Sequence, residues 1–100
     1  MSVYRLSTLA HRDIDSIWDH LADHGGVVSA ERFIWRLYDL FGLLGHNPLM
    51  GRLSRVAGRG VRKFPLDDYI IYYLAQDRRV LIARILHGKR RQRKAYQAPS

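Results

Sequence analysis

From residue 10 onward, apolar side chains recur every three or four positions. Ala10, Ile14, Ile17, Trp18 and Leu21 fall on one stripe, the spacing of an amphipathic helix. Asp13, Asp15 and Asp19 lie mostly off it. Ser7 or Thr8 offers an N-cap hydroxyl, and Gly25-Gly26 stops the helix because glycine takes left-handed C-terminal geometry cheaply. The pattern predicts a second helix from near Ser29, with the stripe Ala30, Phe33, Ile34, Leu37, Leu40, Phe41 and Leu44. Gly45-His46-Asn47-Pro48 is its predicted end. Two such helices in succession predict an antiparallel helical hairpin.

Before the hairpin, residues 3–6 (VYRL) alternate in part and read as a short strand. After it, residues 49–60 (LMGRLSRVAGRG) read as a basic, glycine-punctuated loop. The apolar period then shortens, and residues 61–66, 69–74 and 80–87 read as strands. Asp67-Asp68 and Gln76-Asp77-Arg78-Arg79 are plausible hairpin turns between them. The middle run is apolar on both faces, as a central strand requires, while Pro65 lacks a donor and belongs at an edge or strand end. The expected fold is α+β: an N-terminal strand, an antiparallel helical hairpin, then a three-stranded antiparallel meander. Residues 1–100 form a single domain on this reading, with 89–100 as a basic, frayed tail.

Composition sharpens this picture without redirecting it. The 100 residues are 47% apolar and 26% charged, the balance of a globular domain rather than a disordered chain. The absence of cysteine excludes a disulfide framework, a thiolate metal site and a cysteine nucleophile, and fits a cytoplasmic location. The longest apolar run, 69–75, falls far short of the ~20 residues a membrane helix needs. No signal peptide is evident at the start. Net charge is +8, unevenly spread: residues 1–48 carry four Arg against five Asp and one Glu, and 49–100 carry thirteen Arg and Lys against three Asp. Such a field favours a polyanion or an acidic protein as partner.

Several segments, taken in series, resemble the ParE family of toxins within the RelE/ParE superfamily. They are YRLS followed by LAHRDIDSIWDHL, then AERFIWRLYDLF and GLLGHNPLMGR, then GVRKFPLDDYIIYYL, and late RILHGKR. The resemblance implies a RelE/ParE-like fold and a cognate acidic, ParD-like antitoxin that wraps the toxin in a hetero-oligomer. It also implies a ParE-type action on DNA gyrase needing no active site, with operator DNA reached only through the antitoxin. No cofactor, metal or membrane is implied. RelE-type relatives instead cut messenger RNA on the ribosome, so an endoribonuclease is the alternative, and fold alone does not decide between them.

For ribonuclease chemistry the resemblance carries Arg62 and Arg84 as phosphate-stabilising residues, with His87 as a general acid or base. Their counterparts also occur in ParE toxins. Arg52, Arg55 and Arg59 stand where a nuclease would draw on lysines and a carboxylate, and Tyr96 is a weak late aromatic candidate. On residue pattern alone, Arg62 shares a strand face with Phe64 and Leu66, and Arg84 with Val80, Ile82 and Leu86. An arginine so placed needs a partner, whether an internal carboxylate, a phosphate or an acidic protein. Trp35 projects almost opposite Leu37 on the second helix, an outward aromatic suited to partner contact and expected to be covered by the antitoxin. Arg52, Arg55, Arg59, Lys89, Arg90, Arg91, Arg93 and Lys94 are the expected contacts to nucleic acid or an acidic partner. His20 and His24, four residues apart, lack a third ligand and read as surface residues.

Overall fold

The computed structural model describes residues 2–88. The order is β1 (Tyr4–Leu6), α1 (Thr8–Gly25), α2 (Val27–His46), β2 (Arg52–Leu53), β3 (Arg62–Leu66), β4 (Tyr69–Gln76) and β5 (Arg79–His87). The α+β class and the helical hairpin are as expected. The sheet is larger than a three-stranded meander: its order is β1-β5-β4-β3-β2. β1 joins parallel to β5, and the other pairs are antiparallel. The N-terminal strand expected at residues 3–6 is β1, while β2, two residues long, has too few positions for alternation to reveal it.

Ser7 fixes the start of α1. Its hydroxyl accepts from Ala10 N–H at 2.9 Å and donates to Ala83 O at 2.7 Å, so one side chain caps the helix and ties it to the last strand. α2 starts at Val27 rather than near Ser29, because Gly26 alone makes the reversal. It closes α1 through its N–H on Ala22 O and, at φ 89°, enters α2, a conformation that favours glycine. α2 also runs through Gly45 to His46. A side chain at 45 would overlap Val3, so this glycine admits the N-terminal segment rather than ending the helix.

Both helices cover one face of the sheet. The core unites Ala10, Ile14 and Ile17 with Phe33, Leu37, Leu40, Phe41 and Leu44, and with Ile71, Tyr73, Val80, Ile82 and Ile85 of the central strands. Tyr4 extends it, its ring 5.4 Å from that of Phe41. Strict alternation would place Arg84 and Leu86 on the face of Val80 and Ile82, but the pairing slips. Tyr73 opposes Ile82 while Tyr72 opposes Arg84, leaving Ala83 as the extra residue of a β-bulge. The bulge returns Ile85, not Leu86, to the core, and Ser7 satisfies the Ala83 carbonyl.

Candidate functional site: the sheet edge and the strand arginines

The segment after α2 is fastened to the sheet by one buried tyrosine. Tyr73 Oη accepts from Gly51 N–H and donates to Pro48 O, both at 2.8 Å, while Arg62 Nη1 donates to Gly51 O at 2.6 Å. Burial pushes the Tyr73 phenol above its ordinary pKa, partly offset by the Gly51 N–H and the Arg62 charge. Gly51 is tightly enclosed: an added Cβ would lie 2.6 Å from Lys63 O and 2.7 Å from Tyr73 Oη. Beyond it, Ser54 N–H donates to Val61 O at 2.8 Å and Ser54 Oγ accepts from Ala57 N–H at 3.1 Å. The expected loop therefore contains an edge strand, β2, and a closed return to β3.

This pinned edge presents an apolar and basic surface. Leu49 and Leu53 are 73% and 58% exposed, and Met50 and Val56 each 40%. Arg52, Arg55 and Arg59 are exposed among them. Beside the edge lies a shallow cavity of about 350 Å³, lined by Met50, Arg52, Lys63, Phe64, Pro65 and Ile70. Among the described residues no strand lies beyond β2. An uncovered edge with apolar side chains is a template for another extended chain. Charge draws attention to the arginines here, whereas Leu49, Leu53 and Val56 follow no regular alternation that would mark them as an exposed apolar edge.

Arg84 is held by α1. Its Nε and Nη2 donate to Asp13 Oδ2 and Oδ1 at 2.8 and 3.0 Å, and Asp13 Oδ2 also accepts from Ile85 N–H at 2.9 Å. His87 lies against Tyr69, their rings 5.4 Å apart and edge to face. A groove of about 260 Å³ between α1 and the end of β5 is lined by Asp13, Ser16, Ile17, His20, Tyr69, Ile85, Leu86 and His87. The sheet spreads Arg62, Arg84 and His87 apart. Their partners on β4 are Tyr73, Tyr72 and Tyr69, so Arg62 and His87 are offset by roughly 13 Å along the strand at ~3.3 Å per residue. Arg62 points to Gly51 and Arg84 to Asp13, in different directions.

Trp35 is 70% exposed on the outer face of α2. His20 and His24 stack with ring centroids 4.3 Å apart, and His24 Nδ1 lies 2.7 Å from His20 O. Among the described residues no group of three His, Asp or Glu could hold a metal ion, and no helix is long and apolar enough to cross a membrane. Lys89, Arg90, Arg91, Arg93, Lys94 and Tyr96 lie outside the described residues.

A helical hairpin on one face of such a sheet is the architecture of a known toxin class. The chain superposes with a TM-score of 0.75 on one from a solved structure titled "Chromosomal ParDE TA system from P. aeruginosa", at 23% identity, covering 87% of this chain and 96% of that one. The fold is thus RelE/ParE-like. The family model for the ParE toxin of the type II toxin–antitoxin system parDE matches residues 4–92. Toxin ParE1 of Caulobacter vibrioides is 30% identical over 87 residues, 87% of this chain and 90% of that protein. The chain belongs to the ParE toxin family of type II toxin–antitoxin systems.

Proposed function

We propose that this toxin acts by protein contact on DNA gyrase, without an active site of its own, and is neutralised by a cognate acidic antitoxin in the cytoplasm. The observation that carries the reading is the disposition of the strand residues. Cleavage of RNA needs groups that activate the 2′-hydroxyl, stabilise the phosphorane and protonate the leaving oxygen at one point. Here Arg62 is turned onto Gly51 O and Arg84 onto Asp13, while His87 lies at the far end of the sheet from Arg62. What the chain offers outward is instead an edge of Leu49, Met50, Leu53 and Val56 among Arg52, Arg55 and Arg59. Its apolar groups supply burial and its arginines select an acidic partner. The antitoxin occupies this edge as an extended segment, forming a hetero-oligomer, and operator DNA is met only through it.

The test is DNA supercoiling by purified gyrase with increasing toxin, followed by a search for trapped cleaved DNA. Loss of supercoiling, reversed by antitoxin, is the expected result. Undiminished supercoiling at excess toxin, with messenger RNA cut on ribosomes by the same preparation and spared by His87→Ala, overturns the reading in favour of the ribonuclease.

A further inference from the structure

We propose that the outer face of α2 is a self-pairing surface on which a second copy of this chain docks about a two-fold axis. The face is a stripe of Val28, Arg32, Trp35, Asp39 and Leu43, spaced four, three, four and four residues apart. It turns away from the buried stripe of Ala30, Phe33, Leu37, Leu40, Phe41 and Leu44. Its apolar members are conspicuously bare: Val28 is 69%, Trp35 70% and Leu43 53% exposed. A large aromatic left in water, ringed by Glu31, Arg32, Arg36 and Asp39 with Val28 beside it, has the make-up of an interface anchor inside a charged surround.

The charges on this stripe identify the occupant. A two-fold contact is isologous, so the surface must complement itself. With the axis midway between Trp35 and Arg36 and the helices antiparallel, Val28 of one copy meets Leu43 of the other. Arg32 meets Asp39, and Trp35 meets Arg36. Each contact is matched in kind: apolar on apolar, cation on anion, guanidinium on indole. In this alignment the Arg32–Asp39 pair forms twice, once on either side of the axis, and no like charges face each other along the stripe. Arg36 is already oriented by its two bonds to Asp67, at 2.8 and 3.2 Å. Gly42 has no atom within 4 Å of where a Cβ would stand, so no contact within the chain requires a glycine in this helix interior. Close approach of a second helix does require one. An acidic partner would instead seek excess positive charge, which lies at Arg52, Arg55 and Arg59; here Glu31 and Asp39 balance Arg32 and Arg36.

The contact extends over about 22 Å of helix, a small interface that favours a reversible dimer over an obligate one. Sedimentation equilibrium of the full chain, freed of antitoxin, tests it. Expected is a monomer–dimer equilibrium, with Trp35 emission moving to the blue as concentration rises in a Trp18→Phe background. R32D alone and D39R alone each set like charges face to face and weaken dimerisation by about tenfold or more, whereas R32D with D39R restores it to within about threefold. That rescue separates pairing from any loss of folding in the single variants. A monomer at every concentration overturns the proposal, as does a dimer indifferent to the single reversals or not rescued by the double swap. Trp35 emission that responds to antitoxin but not to concentration assigns the face to the antitoxin and overturns it equally.

Discussion

Removing the Asp13 carboxylate separates a structural Arg84 from one that serves a target. Asp13 accepts three hydrogen bonds, two from the Arg84 guanidinium and one from Ile85 N–H, at 2.8–3.0 Å. The side chains are only 13% and 21% exposed. Asp13→Ala leaves a cation and a backbone donor without this acceptor beside the bulge. A fully buried pair broken this way costs about 3–5 kcal/mol; the remaining solvent access here brings the expectation to about 2–3 kcal/mol. At ~4–8 °C per kcal/mol for a domain of this size, melting falls by roughly 10–20 °C. Asp13→Leu combined with Arg84→Met removes both charges and recovers most of the loss, leaving about 1 kcal/mol for the unsatisfied Ile85 N–H. Thermal unfolding by circular dichroism gives the stabilities, and gyrase supercoiling below every melting point gives the activities. Under the proposed action on gyrase, the double variant is folded and inhibitory. A structural Arg84 is refuted by Asp13→Ala melting within about 2 °C of the parent, or by a stable double variant that is inert while Asp13→Ala still inhibits.

Two further outcomes follow from the tyrosines. Tyr73→Phe strips Gly51 N–H and Pro48 O of their partner, so stability should drop by about 2–3 kcal/mol. Proteolysis should then begin within residues 47–60, and an unchanged melting temperature with no new cleavage there would discard the pinning role. Burial raises the phenol pKa of Tyr4, Tyr72 and Tyr73 above the ordinary 10.0. A raised folded-state value means that the unfolded chain ionises first. The contribution is therefore fully present below pH 10 and lost as pH climbs through the folded-state values. Alkaline titration should show cooperative unfolding coincident with part of the tyrosinate absorbance; complete tyrosine ionisation with native circular dichroism would contradict it.

How much of this was legible in the sequence depends on the range of the contact. The helices declare themselves through stripes of five and seven apolar residues, and the central strands through apolar runs bounded by turn residues. Trp35 is also legible, since its exposure follows from helical geometry once Leu37 is placed inward. Nothing local reveals β2, whose two residues, Arg52 and Leu53, are a strand only because Lys63 and Arg62 lie opposite. Nor does anything local reveal the bulge at Ala83, whose carbonyl is satisfied by Ser7, 76 residues away. The tight hairpin at Gly26 is intermediate: a glycine pair signals a stop, but not that a single residue completes the turn.

The same long-range contacts make basic strand positions a poor guide to chemistry in this chain. Arg62 and Arg84 satisfy any pattern that asks for cations on these strands, yet position along a strand does not set where a guanidinium points. Asp13, 71 residues from Arg84, and the Gly51 carbonyl, 11 from Arg62, set it. An acidic residue in the second turn of the first helix is therefore the feature that turns a strand arginine inward. A glycine close enough to a strand tyrosine to offer its carbonyl does the same at the sheet edge. In a family member where both anchors are absent, the two arginines would be released toward solvent and available to a phosphate. Replacing Asp13 and the Tyr73 hydroxyl together in this chain, and asking whether RNA affinity rises with a salt slope increased by about two phosphate contacts, puts that argument to measurement. An unchanged slope in a folded variant would mean that the strand arginines do not face a phosphate site even when freed.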